Sequence, residues 1–289
     1  LWFDKALLSA AEGLTMNGLI DPRHLLNEYC NTMKSPQDRN FDTLIHKFEQ
    51  KIYDTAKGEW RLKLLKEDLA AFYQAAEPLT IWDAGCGFAQ ISLWLAERGH
   101  QLTLCDVSEK MLARAQHEFA DAGLSAEFHH QAAQSLAPQL PQFDLVLCHA
   151  VLEWLAEPLP TLQVIANQVK PGGHLSLLFY NRNAMVYTNA LKGSWRLQQL
   201  LDDSYLGKGA KLTPPNPQYP HDVVDFLQQQ GFEITTHTGI RVFNDYMTKE
   251  VLDNSPSEQL FALEYRHCRM PTYRDMGRYV HLVARRLVF

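Results

Sequence analysis

No apolar run in the chain approaches the ~20 residues that cross a bilayer, so no membrane-spanning helix is expected. The opening Leu1-Trp2-Phe3-Asp4 has no basic stretch ahead of an apolar one and does not read as a signal peptide. The five cysteines (Cys30, Cys86, Cys105, Cys148 and Cys268) include no C-x-x-C pair, and three fall on or beside predicted buried strands. That usage fits reduced thiols in the cytoplasm rather than a disulfide framework. The doublet His129-His130 has no further ligand at metal spacing, so no metal site is expected. No internal repeat is visible. A net charge of −6 offers a polyanion no global attraction and leaves that task to local basic patches. One more absence is informative. In Gly85-Cys86-Gly87-Phe88-Ala89-Gln90 the third glycine of a dinucleotide-binding G-x-G-x-x-G is missing, with Gln90 in its place.

An apolar content of 46% and a charged content of 21% over 289 residues fit one large globular domain, or a domain with a cap. From Leu79 onward, short apolar runs alternate with helical periodicity, which predicts a doubly wound parallel α/β sheet. The predicted strands are 79–83, 102–106, 126–130, 143–148, 175–181, 231–237 and 277–285. Ahead of them, residues 37–78 read as a helical cap, with a break at Ile52–Gly58 flanked by Tyr53 and Arg61. A solvated surface charge is the competing account of Arg61. Residues 1–36 read as an N-terminal extension from an upstream start, or a loosely docked appendage, because Met33 stands just before Lys34-Ser35-Pro36.

The stretch Leu79–Gln90 is strand, tight turn and helix start. Its glycines let the backbone approach a ligand, and the helix start offers unpaired N–H groups. Asp106 ends the second strand about 20 residues on, where an acid reaches the two hydroxyls of a ribose. Asp83 decides between ligands: so near the glycines it would repel a pyrophosphate and attract the ammonium or sulfonium of S-adenosylmethionine (SAM). With the Ser108 N-cap, the apolar face after it and Val169-Lys170-Pro171-Gly172-Gly173, the chain resembles a class I SAM-dependent methyltransferase. The resemblance implies a seven-stranded Rossmann-like sheet. A nicotinamide oxidoreductase and a degenerate SAM-binding adaptor are the alternatives.

In such a sheet the ligand crevice lies at the carboxyl ends of the strands. Ala133 and Gln134, in the turn after the third strand, are candidates to touch an adenine, although an ordinary strand-to-helix connection explains them nearly as well. His149, at the end of the fourth strand, is a candidate for cofactor contact, against a satisfied structural histidine. Tyr180 and Asn181 end the fifth strand at the same rim. The insertion at about 182–220 mixes Trp195 and Tyr205 with Lys192, Arg196, Lys208 and Lys211. Those residues suit gripping phosphates and stacking bases, or a charged lid over a small substrate. Arg241 follows the sixth strand, and Arg266, Arg269, Arg274 and Arg278 cluster before the seventh.

Several segments resemble the bacterial tRNA 5-carboxymethoxyuridine methyltransferase family: Gln37–Asp42, Ile52-Tyr53 with Lys57-Gly58, Ala96–His100, His149–Trp154, Phe179-Tyr180-Asn181 and Gly239–Phe243. The likeness runs from about Gln37 to Arg286. It implies methyl transfer from SAM to the carboxylate of 5-carboxymethoxyuridine at the wobble position, with a tRNA anticodon stem-loop as partner. It also implies cofactor contacts at Arg61, Gly85, Cys86, Asp106, Ala133, Gln134 and His149. Ala89 departs from the glycine-richer loop of the family. Tyr53, Tyr180 and Arg241 are the candidates to orient the substrate, by rim position. The rival within enzymology is a SAM-dependent O-methyltransferase of a small acidic or phenolic metabolite.

Overall fold

The computed structural model describes residues 38–42, 56–194, 196–202 and 213–288. The extension 1–36, the candidate Tyr53, and Trp195, Tyr205, Lys208 and Lys211 of the insertion lie outside the described residues. The strands are β1 (Thr80–Ala84), β2 (Gln101–Asp106), β3 (Glu127–His130), β4 (Phe143–His149), β5 (Val169–Tyr180), β6 (Phe232–Ile240) and β7 (Tyr279–Arg286). The described helices are α1 (Ala56–Asp68), α2 (Ala70–Tyr73), α3 (Gln90–Ala96), α4 (Glu109–Asp121), α5 (Ala133–Leu136) and α6 (Pro158–Ala166). They continue with α7 (Arg182–Leu191), α8 (Arg196–Leu201), α9 (Pro220–Gln229), α10 (Lys249–Asn254), α11 (Ser257–His267) and α12 (Pro271–Arg274). No helix among the described residues is long and apolar enough to cross a membrane.

The seven strands form one sheet in the order β3-β2-β1-β4-β5-β7-β6. Strands β1 to β5 are parallel to one another, as the alternating pattern predicts. The all-parallel expectation fails at β7, which runs antiparallel to both β5 and β6. The reason is where the β6–β7 connection closes. Arg278 donates its backbone N–H to the Arg241 carbonyl at 3.3 Å, so the long helical excursion starts and ends at one end of the sheet and the chain must turn back.

Both faces of the central strands are buried, and side chains alternate between them. On β4, Leu145 and Leu147 join one core with Ile81, Leu104 and Leu178, while Val146 and Cys148 join the other with Trp82, Leu175 and Phe179. Helix α1 covers the first face with Leu64 and Leu65, which carries Arg61 toward the strand ends. The break expected at Ile52–Gly58 is corrected at its end: Lys57 and Gly58 lie in the first turn of α1, while residues 52–55 lie outside the described residues. A glycine costs a helix about 1 kcal/mol, and burial of Trp60, Leu64 and Leu65 on the same helix outweighs it. Helix α4 starts as predicted, with Ser108 Oγ accepting from Met111 N–H and Met111, Leu112, Ala115 and Phe119 buried along one face.

The turn after β6 is held from α11. Glu264, 2% exposed, accepts hydrogen bonds from the N–H groups of Val242 (2.6 Å), Phe243 (3.0 Å) and Asn244 (2.6 Å). Arg241 just before them sits at φ +61°, in the left-handed region that non-glycine residues rarely occupy. Removing the carboxylate would strand three N–H groups. Glu264→Ala is therefore expected to lower stability by about 2–4 kcal/mol in urea unfolding. It should also raise amide exchange at 242–244 before the sheet is affected.

Candidate functional site

At the carboxyl ends of β1, β2 and β4 the glycine turn forms the wall of a cavity. Gly85 (φ +83°) and Gly87 (φ +53°) are left-handed. A Cβ on Gly85 would lie 2.6 Å from Val151 Cγ2, so glycine is required there on both counts. Ala89 is left-handed too (φ +54°), which answers the question raised by its departure from glycine: the loop keeps its course despite that methyl. It then opens α3 as its N-cap.

Asp106 ties this turn to β2. One carboxylate oxygen accepts from Gly87 N–H and the other from Ser108 N–H, both at 2.8 Å. Asp83 is more deeply buried, and Ser92 Oγ donates to it at 2.6 Å. Burial pushes the Asp83 pKa up to about 7, against the Ser92 hydrogen bond and with help from the Asp106 charge. Asp106 is also raised, chiefly by burial. Two acids held out of water beside one cavity await a cationic partner.

All seven residues expected to contact a cofactor line this cavity: Arg61, Gly85, Cys86, Asp106, Ala133, Gln134 and His149. Cys86 is buried, its thiol pushed well above the ordinary range by burial and by the Asp83 and Asp106 charges, so it is present as an inert thiol. His149 Nε2 lies 2.8 Å from Ser176 Oγ, and burial holds its pKa well below the usual value, so the ring is neutral. Ala133 opens α5 directly after β3, and the Gln134 side chain beside it donates to Asp38 at 2.6 Å.

That last bond exposes what the sequence missed. Residues 38–42 run across the cavity as a strap. Asp38 also accepts from Ala156 N–H, Arg39 N–H donates to the Trp154 carbonyl, and Asn40 donates to the Val107 carbonyl. Phe41 packs edge-on to Trp154, with ring centroids 4.8 Å apart. Asp38, Arg39 and Phe41 line the cavity. Gln37–Asp42 was legible as a turn-rich family segment but carried no periodicity that could point it at the cavity. Glu153 was also missed. It is fully buried, and burial raises its pKa to about 8, against the N–H groups of Glu153 and Tyr180 and the Arg61 charge.

Tyr180 and Arg241 do not line the cavity. They belong to a second cluster, beyond the ends of β5, β6 and β7. Tyr180 Oη accepts from Arg278 at 2.8 Å, and Asp245 accepts from Arg278 and Lys57 at 2.8 Å each and pairs with Arg241 at 3.3 Å. Burial alone would raise the Asp245 pKa, but Arg241, Arg278 and Lys57 outweigh it and hold the group far below the carboxylate range. Three cations thus surround one acid. The expected cluster of four arginines is dispersed: Arg278 sits here, Arg269 pairs with Asp68 at 2.7 Å, Arg274 ends α12, and Arg266 is exposed.

Residues 82–177 match the methyltransferase domain family. Magnesium protoporphyrin IX methyltransferase from Synechocystis PCC 6803, with bound S-adenosylhomocysteine (SAH), superposes with a TM-score of 0.58 at 18% identity over 85% of this chain and 96% of that one. The [4+2]-cyclase SpnF superposes with a TM-score of 0.52 at 21% identity, over 81% and 82% of the two chains. These likenesses show the fold, and a cyclase among them shows that the fold alone does not choose the reaction. Sheet order, acid-flanked glycine turn and matched domain together define a SAM-dependent methyltransferase. The chain is 40% identical over 255 residues to tRNA 5-carboxymethoxyuridine methyltransferase of Escherichia coli (strain K12), covering 86% of this chain and 97% of that protein. A shorter match, 34% over 122 residues, joins it to ubiquinone biosynthesis O-methyltransferase of Pseudomonas fluorescens, covering 42% and 53%. The chain belongs to the tRNA 5-carboxymethoxyuridine methyltransferase family.

The Asp83 carboxyl predicts how SAM affinity depends on pH. Its raised value of about 7 belongs to the ligand-free protein, and a bound cation lowers it. Binding therefore expels a proton below about pH 7, so affinity rises with pH through that value and then levels off, by up to about tenfold per unit on the acid side. Calorimetry in buffers of different ionisation enthalpy counts the proton. Asp83→Asn should abolish the release.

Proposed function

We propose that this chain transfers the methyl group of SAM to the carboxylate of 5-carboxymethoxyuridine at the tRNA wobble position, forming 5-methoxycarbonylmethoxyuridine. The supporting observation is the juxtaposition of an acid-lined nucleoside cavity with a separate cation-rich cluster at the same strand ends. Arg61, Gly85, Cys86, Asp106, Ala133, Gln134 and His149 hold the cofactor. Asp106 takes the ribose hydroxyls, the turn after β3 takes the adenine, and the methionine half extends toward β4 and Arg61. When bound, SAM supplies an electrophilic methyl group on a sulfonium.

The residues around it have little proton chemistry to perform. A substrate carboxylate is ionised at neutral pH, with a reference pKa near ~4, so no general base is needed. What it lacks is nucleophilicity, which follows from removing water and aligning one oxygen with the methyl at roughly 3–3.5 Å. Arg241, with Arg278 and Tyr180 behind it, orients the carboxylate through its second oxygen, and Tyr53 is assigned to the same task. Glu153 fits this scheme because its raised pKa keeps it neutral at pH 7, so it does not repel the substrate. The strap at residues 38–42 excludes water from the cofactor. An anticodon stem-loop is the tRNA element assigned to the rim, and the cytoplasm is the compartment assigned to the reaction, in keeping with the four free cysteines among the described residues. Lys192, Arg196, Lys208 and Lys211 then serve as phosphate contacts.

Mass spectrometry of nucleosides from tRNA bearing 5-carboxymethoxyuridine, incubated with and without SAM, tests the function. A mass gain of one methyl on that nucleoside is expected. Unchanged tRNA with methylation of small acids would overturn it. Phosphate contacts release counterions, so tRNA affinity should fall with salt by a log–log slope of about 0.7–0.9 per contact. Asp106→Ala should weaken SAM binding about ten- to hundredfold by calorimetry, since it removes charge-assisted bonds to the ribose. Arg241→Ala should instead raise KM for tRNA at least tenfold, on the scale of one lost charged hydrogen bond, with SAM affinity unchanged.

A further inference from the structure

A chain of buried polar groups runs behind the cofactor cavity, and only its last member, His149, enters the methyl-transfer scheme. His149 Nε2 lies 2.8 Å from Ser176 Oγ on β5. Ser176 Oγ lies 2.8 Å from His281 Nε2 on β7. His281 Nδ1 lies 2.8 Å from Asp68 Oδ2, at the last position of α1. Ser176 and His281 are fully buried, and the Asp68 side chain is 1% exposed. Arg269 closes the far end, donating to Asp68 Oδ1 from Nη2 at 2.7 Å and from Nε at 3.1 Å. Four elements distant in sequence thus converge on one line ending at a residue that faces the cavity.

The direction of the bonds follows from the donor inventory. Burial would raise the Asp68 pKa, but the hydrogen bonds from His281 and Arg269 outweigh it and keep the group ionised, so it can only accept. With His281 neutral, its one N–H is the Nδ1–H donated to Asp68, which leaves Nε2 as an acceptor for the Ser176 hydroxyl. That hydroxyl, its proton committed, accepts from His149 Nε2. Arg269 lies 2.7 Å from Asp68 and 3.7 Å from Glu67, and one proton per link satisfies the chain. His149 has one N–H in its neutral state, and this arrangement assigns it to Nε2. The other nitrogen, Nδ1, is left to the cavity as a lone pair.

We infer that Asp68, His281 and Ser176 are positioning residues that fix His149 in the Nε2–H tautomer, so that its Nδ1 accepts a hydrogen bond from the α-ammonium of the bound cofactor. This rests on the cavity being the SAM site. There Asp106 and the turn after β3 claim the nucleoside, and the amino-acid half lies at the β4 end with His149 and Arg61. The ammonium is the strong donor of that half. An oppositely set ring would present an N–H to a cation and repel it. The relay therefore selects for the α-amino group from Asp68, three hydrogen bonds behind the ring that faces the ligand.

Asp68→Asn tests the direction. Its amide keeps the shape but turns an N–H toward His281, which reverses each link and leaves His149 with its proton on Nδ1; in Ser-His-Asp triads the same exchange selects the wrong histidine tautomer. Ser176→Ala breaks the chain without touching a charge. The first readout is 15N NMR of the histidine rings in the ligand-free full chain, with His149 assigned by loss of its signal in His149→Gln. The second is calorimetry with SAH and with SAH lacking the α-amino group. Wild type should show the Nε2–H tautomer and prefer SAH. Asp68→Asn should show the Nδ1–H tautomer, lose about tenfold in SAH affinity and bind the deamino analogue nearly as wild type does. Ser176→Ala should show mixed tautomers and an intermediate loss. An Nδ1–H tautomer in wild type overturns the inference. So does an unchanged tautomer in both variants, with equal losses for both ligands. Failure of wild type to bind SAH would overturn the cofactor assignment and the ligand half of the inference together, whereas the NMR judges the relay alone.

Discussion

Burying a carboxyl group without a counter-charge is among the more costly things a fold can do, and this one does it twice beside a single cavity. Asp83 and Asp106 lie at the ends of neighbouring strands, burial raises the pKa of both, and the Asp106 charge adds to the rise at Asp83. The glycine turn depends on that arrangement, because the Asp106 carboxylate accepts the Gly87 N–H and fixes the left-handed course of the loop. The strap depends on it in turn through Ser108, whose hydroxyl donates to Asp42 at 2.5 Å while its N–H donates to Asp106. A cationic ligand beside these two acids would offset the electrostatic cost of their burial.

The second cluster has the opposite sign. Lys57, Arg241 and Arg278 converge on the single acid Asp245, an excess of positive charge outside the acid-lined cavity. The left-handed Arg241 is where this arrangement stores backbone strain, and the three N–H groups gathered by Glu264 hold it there.

Much of the cavity was legible in the chain because it is made of local patterns: an apolar run ending in Asp83, two glycines, an acid at Asp106, a histidine ending β4. Each is read within a few residues of itself. The Asp68–His281–Ser176–His149 line was not legible, since its members are spread over four elements and only the sheet register brings them together. The break expected at Gly58 failed because glycine propensity is a weak local vote against the burial of Trp60, Leu64 and Leu65. The direction of β7 failed for a related reason. Apolar alternation announces a strand but says nothing of which way it runs, and that was settled by where residues 241 and 278 meet.

The place of β7 has a consequence in time. It is the last described strand to be synthesised, yet it lies between β5 and β6 and pairs with both. Until it arrives, β6 has no seat in the sheet and the pairing of greatest sequence separation has not closed, which is the slow kind of step in folding. His281 and Arg278 travel on or beside that strand. A ribosome must therefore release nearly the whole described chain before either the histidine line or the cation cluster can exist. The molecule passes from a partial sheet to a competent enzyme in one late event rather than by degrees.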